Sequence, residues 1–182
     1  MKKVVKAICV IFITILIYFF ISNIFIYPCK TEGISMFPTI SPNEIKLTNR
    51  WSVIIKEKIN RDEIVVIEEP EKLYVSESEY DSNKLIAQYD QKLLSNIFRR
   101  KWMKRVIGVS GDVIKITQDN KLYRNGENIG YANGSMDNYK FMYTEVVVPE
   151  NSIYVMGDNR KNSIDSRSFG CVPLNKIFSV LK

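Results

Sequence analysis

From Ala7 to Tyr27 the chain runs 21 residues without a charge. Most are Ile, Phe, Val, Leu or Tyr, and Thr14, Ser22 and Asn23 interrupt the run only locally. As a helix this stretch would be about 31 Å long, which matches a hydrocarbon core of about 30 Å. Lys2, Lys3 and Lys6 precede it, and little positive charge follows. That asymmetry predicts a cytoplasmic segment at 1–6, a membrane anchor at 7–27 and an extracytoplasmic domain at 28–182. A cleaved signal peptide would have a shorter apolar run and a small-x-small site. Here the run ends Asn23-Ile24-Phe25-Ile26-Tyr27, so an uncleaved anchor is expected, with Tyr27 at the interface.

Beyond the anchor the period changes to two. Glu44-Ile45-Lys46-Leu47-Thr48 alternates as a half-buried strand should, and Trp51 to Ile55 is a second strand candidate. Glu63-Ile64-Val65-Val66-Ile67 carries an unbroken β-branched run from Ile64 to Ile67 and predicts a strand buried on both faces. Asp112 to Thr117, Lys121 to Tyr123 and Glu127 to Tyr131 read as a meander. Asn125-Gly126 forms one of its turns, because both residues accept positive φ. Thr144 to Val148 and Ser152 to Met156 add two strands around Pro149-Glu150-Asn151, and Val172 to Leu181 reads as a short apolar tail.

One stretch breaks this pattern. Glu68 to Tyr89 is polar and acidic, and Leu85 to Arg105 is helix-like in part, with Leu93, Leu94, Ile97, Phe98 and Trp102 at helical spacing. Residues 68–103 are therefore expected to form a partly helical insertion. It either packs on the domain as an amphipathic element or leans on the membrane with its basic, aromatic face. The fold class expected is mostly antiparallel β, barrel-like, with one N-terminal transmembrane helix.

Composition narrows the chemistry. The chain has 182 residues, and the part beyond the anchor, roughly 150, suffices for one domain with a real core. It contains no histidine. That excludes Ser-His-Asp and Cys-His catalysis, and most imidazole metal sites. There are three cysteines and no CxxC, so structural zinc is not expected. Cys9 lies in the anchor, and Cys29 and Cys171 are read as two unpaired thiols unless the fold brings them together. The net charge of +6 fits lysines on solvated faces or contact with anionic lipid.

A hydrolase without histidine needs another base, and Ser-Lys pairs follow the same logic as the triad. An ordinary lysine, with a pKa of about 10.4, is protonated at neutral pH. Burial can lower it by up to about 3–5 units, so a lysine base belongs beside apolar residues and hydroxyls. Ser35, in Gly33-Ile34-Ser35-Met36-Phe37-Pro38-Thr39, is the candidate nucleophile. Lys104 lies between Trp102-Met103 and Val106-Ile107, but Arg99-Arg100-Lys101 stands close by. From this stretch alone a solvated lysine is the simpler reading.

Four boxes in order resemble those of bacterial type I signal peptidases. Gly33 to Thr39 resembles the family's Gly-x-Ser-Met-x-Pro-Thr box. Arg61 to Ile67 loosely matches a turn leading into a Val-rich strand. Lys104 to Asp112 resembles Lys-Arg-x-x-Gly-x-x-Gly-Asp, and Gly157 to Arg167 resembles Gly-Asp-Asn-x-x-x-Ser-x-Asp-Ser-Arg. The boxes bracket most of Gly33 to Pro173, and the single span resembles the Gram-positive form of the family.

The resemblance implies a site. Ser35 would attack the scissile carbonyl to form an acyl-enzyme, with neutral Lys104 as its base and the Ser35 backbone N–H as a donor to the oxyanion. Ser163 would orient the Lys104 amine, and Asp165 with Arg167 would hold the last box in place. Gly33, Ile34 and Met36 would contact the substrate, Met36 in the pocket for the small residue before the cut. Some members carry a serine at the position of Gly33, where its hydroxyl adds an oxyanion donor. The base box has Ser110 where proline is common. Gly108, Gly111 and Gly157 are read as backbone-geometry residues, and Asp158 and Asn159 as turn formers that hydrogen-bond within their own loop.

The function expected is membrane-anchored removal of signal peptides from exported preproteins, cutting after small residues at −3 and −1. Preprotein signal peptides and membrane lipid are the expected partners, with no cofactor, metal or nucleic acid. A rival is an inactive or substrate-dedicated factor in surface-fibre assembly, which would be expected to lack the serine or the lysine. A nucleic-acid binder around Arg99 to Arg105 conflicts with the extracytoplasmic placement. A self-cleaving regulator would carry a DNA-binding domain in place of the anchor.

Overall fold

The computed structural model describes residues 2–70, 100–133 and 145–182, excepting the side chains of 19–24. Helix α1 covers Lys2–Phe25 and passes directly into strand β1, Ile26–Lys30. Tyr27 therefore sits in a strand, not at the end of a helix. The apolar side chains described along α1, from Val4 to Tyr18, are all exposed. Among the described residues no helix is long and apolar enough to cross a membrane, so the span expected over 7–27 is not met there.

The body is antiparallel β. Strands β2 (Ile45–Asn49), β3 (Ile64–Glu68), β4 (Lys101–Val109), β9 (Ser152–Met156), β10 (Val172–Pro173) and β11 (Ile177–Leu181) join β1 in a seven-stranded sheet. Its order is β1-β2-β11-β3-β4-β9-β10. Strands β5 (Val113–Ile116), β6 (Lys121–Arg124), β7 (Glu127–Tyr131) and β8 (Glu145–Val147) form a second sheet, ordered β7-β6-β5-β8. The meander and the strand at Ser152–Met156 lie where their alternation predicted. Asn125 and Gly126 turn the β6–β7 hairpin with φ of 53° and 83°, the left-handed pair such a two-residue turn requires.

Three clusters make the core. Val65 and Ile67 point to one face of the large sheet, with Val106, Val155, Phe169, Val172 and Val180. Ile64 and Val66 point to the other, with Cys29, Met36, Ile40 and Met103. Strand β3 is thus buried on both faces, as its unbroken β-branched run predicted. Each such side chain contributes roughly 1.5–3 kcal/mol by leaving water. The third cluster packs the small sheet on β4 and β9 through Ile107, Ile114, Leu122, Tyr154 and Met156.

Three expectations are corrected. Trp51–Ile54 is a short helix, α2, not a strand, because the Asn49 side chain accepts the Ser52 N–H and starts a helical turn. Lys101–Arg105 is strand, because β3 pairs with it from Lys101 to Arg105. With Glu68 also in β3, any insertion lies inside 69–100, and 71–99 falls outside the described residues. The apolar tail is no appendage. Its last five residues form β11, between β2 and β3 in the middle of the sheet. Thr144, placed in a strand by sequence, also falls outside the described residues. Cys29 and Cys171 are free and buried in different clusters.

Candidate active site

Ser35 follows β1 in a loop that closes on itself. Thr31 N–H donates to Glu44 O at 3.0 Å and Asn43 N–H to Thr31 O at 2.6 Å, which ties the two ends together. Within the loop Ile40 N–H reaches Met36 O at 2.9 Å, a single helical turn. Met36 and Ile40 share one face of that turn and are both 1% exposed, sunk in the core beside β3 and β4. Two apolar anchors thus hold the loop down and leave the Ser35 hydroxyl free to face β4.

What it faces is Lys104. The lysine lies in the middle of β4, paired with Val65, and is 3% exposed. Its Nζ donates to Ser35 Oγ at 2.8 Å and lies 5.5 Å from the centre of the Trp102 ring. Burial is the chief cause that brings its pKa down to about 8. Asp165 opposes this from a distance and Arg167 assists it. The burial follows from β4 being an interior strand, flanked by β3 and β9.

The Gly157 to Arg167 box folds around a buried ion pair. Arg167 donates from Nε to Asp165 Oδ1 and from Nη2 to Oδ2, each at 2.8 Å, and both side chains are fully buried. Asp165 Oδ2 also accepts Gly157 N–H at 3.0 Å, and Arg167 Nη1 donates to Ala132 O at 2.7 Å. Burial alone would push the Asp165 carboxyl up, but the Arg167 guanidinium together with the Gly157 N–H and the Lys104 charge outweighs it and holds the acid below the usual range. Asp165 also caps a four-residue helix, α3, at Ser166–Phe169. Ser163 is buried against Gly157, and a Cβ on that glycine would overlap the Ser163 side chain and fall 2.5 Å from Ser35 O.

Asp158 and Asn159 do hydrogen-bond within their own loop, with Arg160 N–H on Asp158 O at 3.0 Å and Asn162 N–H on Asn159 O at 2.9 Å, but both also reach outside it. Asp158 takes a two-pronged bond from Arg105, at 2.7 and 2.6 Å, which fastens the box to β4. Asn159 donates its backbone N–H to Ser35 O at 2.9 Å and its side-chain Nδ2 to Ile34 O at 3.2 Å. Sequence reasoning also missed Arg61, which pairs with Asp112 and, with Asn125 and the Val109 N–H, holds that carboxyl down at about 2. The signal was the polar density of the boxes, but the partner of each group lies in another box.

A cavity of about 640 Å³ runs along the Ser35 hydroxyl. Gly33, Ile34, Ser35 and Met36 line one wall, and Lys101, Trp102, Met103 and Lys104 the other. Its walls belong to the chain before the serine and the strand before the lysine, so an extended peptide laid between them would pass both groups. Among the described residues no cluster of His, Cys, Asp and Glu could hold a metal ion. Chemically the arrangement is a hydroxyl, a buried amine able to lose its proton, and an open groove beside them.

The family model for signal peptidase, peptidase S26, matches residues 2–182. Signal peptidase I V of Bacillus subtilis (strain 168) is 31% identical over 165 residues, spanning 84% of this chain and 81% of the relative. Signal peptidase I S of the same strain is 28% identical over 168 residues, spanning 87% and 75%. A crystal structure of a signal peptidase I from Enterococcus faecalis V583 aligns with a TM-score of 0.44 at 24% identity, covering 69% of this chain and 98% of that one. By the reach of the family match and the length shared with signal peptidase I V, the chain belongs to the signal peptidase family, peptidase S26, and is a serine peptidase.

Proposed function

We propose that this protein removes signal peptides from exported preproteins, with Ser35 as nucleophile and Lys104 as general base. The observation that carries the reading is the 2.8 Å contact between Lys104 Nζ and Ser35 Oγ, with the amine brought down to about 8 by burial. Once Lys104 is neutral, the contact runs the other way and the hydroxyl donates to the amine. As Oγ attacks the scissile carbonyl, Lys104 takes its proton. The C–N bond then breaks, and the lysine ammonium protonates the leaving amine. A water attacks the resulting ester, its proton passes to Lys104, and the acyl product leaves as Ser35 Oγ recovers its proton.

Substrate would lie extended in the groove between residues 33–36 and 101–104, by strand addition, with small residues at −3 and −1. Met36, buried beside the nucleophile, would limit the size of the side chain next to the cut. Ser163, buried against Gly157, would support the lysine amine.

The same reading places the protein at a membrane. Over the described stretch of α1 from Val4 to Tyr18, apolar side chains lie on every side and are exposed, and a helix of that kind needs an apolar surrounding. Where α1 meets the body, Ile26, Ile45, Leu47, Trp51, Ile54 and Ile55 are exposed as well. Residues 1–6 would lie in the cytoplasm and the β body outside. An inactive assembly factor has no need of a buried amine against a serine hydroxyl, and nothing in the site favours it.

The test is cleavage of a small-x-small signal precursor in detergent or lipid by native protein, Ser35→Ala and Lys104→Ala. Cleavage after the small residue by native protein alone is the expected result. Equal cleavage by the variants would remove the pair from the mechanism.

A further inference from the structure

We infer that Asn159 is a positioning residue that aims the oxyanion-binding N–H of Ser35. The inference rests on Ser35 being the nucleophile. The N–H of Ser35 and the carbonyl of Ile34 belong to one peptide unit. Such a unit is planar and trans, so its N–H and C=O point in opposite directions within one plane. Fixing the oxygen therefore fixes the direction of the hydrogen. Asn159 Nδ2 holds that oxygen, at 3.2 Å from Ile34 O, and Phe37 N–H donates to the same atom at 3.1 Å. Asn159 also holds the next peptide, through its own N–H to Ser35 O at 2.9 Å. Both peptide units that flank the nucleophile are thus gripped at their oxygen ends by one residue.

The donor end is left free. Among the described residues the Ser35 N–H has no hydrogen-bond partner, and Ser35 faces the cavity. A group that must bind an oxyanion in the transition state has to be kept aimed and unoccupied beforehand. Hydrogen bonds accepted at a carbonyl also polarise the peptide and make its N–H a better donor. The orientation of the Asn159 amide is itself set, because Asn162 Nδ2 donates to Asn159 Oδ1 at 3.2 Å. Asn162 therefore acts through Asn159. Gly33 has no side chain to offer a second donor, so the aim of this one N–H matters more here.

Asn159→Ala deletes the side-chain grip and keeps the backbone bond to Ser35 O. In the full chain in detergent, with a small-x-small precursor, kcat is expected to fall roughly 10- to 100-fold, a part of what loss of an oxyanion donor costs. KM should stay within about twofold, and affinity for a peptide aldehyde, which forms a tetrahedral adduct on Ser35, should fall in step with kcat. The pH midpoint of kcat/KM should not move, because Lys104 is untouched. Asn162→Ala should lower kcat less, and the double variant should be no worse than Asn159→Ala alone, because the two act in series. The inference is overturned if Asn159→Ala keeps native kcat, or if KM rises or the pH midpoint shifts along with the loss. It is overturned too if the two single losses add, and Asn162→Ala decides alone if Asn159→Ala does not fold. Ser35→Ala in the same assay separates the two claims. If Ser35→Ala is dead and Asn159→Ala is native, only this inference fails; if Ser35→Ala cuts normally, the nucleophile reading itself fails.

Discussion

Two cations are buried in this site, and they meet opposite fates. Arg167 is surrounded by acceptors: both oxygens of Asp165 and the carbonyls of Ala132 and Ser163. Lys104, as deeply buried, meets a serine hydroxyl and the face of Trp102. A guanidinium with a carboxylate on its fork stays charged and acts as a brace. An ammonium without a carboxylate in contact has lost its hydration and gained little in return, so it tends to lose its proton. The two are linked, because Arg167 occupies Asp165, the acid that would otherwise pull Lys104 back toward the charged form. Burial lowers the Lys104 pKa against the pull of Asp165, and Arg167 assists it.

Removing the unpaired cation should separate activity from stability most sharply. Lys104→Met should lower kcat by roughly 10²–10⁴-fold, the contribution of a general base. The same change should make the fold more stable at pH 7, by on the order of 3 kcal/mol, because the buried ammonium is gone. The sign follows from the proton count. Between about 8 and about 10.4 the unfolded chain holds a proton on Lys104 that the folded chain has released. Native stability therefore rises with pH across that window, and urea melts of native protein and Lys104→Met should converge there.

Removing the paired cation should do the reverse. Arg167→Met leaves Asp165 buried without its partner and should cost about 3–5 kcal/mol by urea melt. Asp165→Asn combined with Arg167→Met should recover much of that loss, since no charge is then stranded. If the double variant is as weak as the single one, the pair is more than a brace.

Two glycines sharpen the contrast at smaller scale. Gly157 touches both halves: its N–H lies on Asp165, and a Cβ added to it would run into Ser35 O and Ser163. Gly157→Ala should lose about 1–3 kcal/mol by overpacking, and kcat with it. Among the described residues Gly33 has nothing within 4 Å of where a Cβ would stand, so Gly33→Ala should leave the unfolding free energy from urea melts within about 0.5 kcal/mol of native.

The smallest effect concerns proton uptake. Native kcat/KM should rise with pH through about 8, as Lys104 becomes neutral. In any Arg167→Met protein that still folds, the midpoint should move upward, because Asp165 then faces the lysine alone. A profile that stays put would show that the arginine does not tune the base.

Much of this was legible along the chain. The alternation of β5 to β7, the turn at Asn125-Gly126 and the doubly buried run at Ile64–Ile67 are local patterns, and local sterics and burial decide them. The absence of histidine turned attention to lysine before any geometry was known, and the four boxes marked the segments that meet around Ser35 and Lys104. Trp51–Ile54 misled, because four residues with one polar position fit a strand as well as a helical turn, and Asn49 tipped the balance. Trp102 misled too. Its helical spacing was real, but β3 and β9 on either side offered backbone partners that a surface helix could not match.

The chain by itself determined which residue types were available for chemistry and roughly which segments would be strands. Those follow from composition and from periods of two and 3.6 residues, which are properties of neighbours in sequence. Only the tertiary structure decided that Lys104 would be buried against the Ser35 hydroxyl and not one more solvated lysine, that β11 would lie between β2 and β3 inside a sheet, and that Asn159 would reach Ile34 and Ser35. Each of those depends on groups dozens of residues apart, and both desolvation and hydrogen-bond partnership are set by what the fold places within a few ångströms.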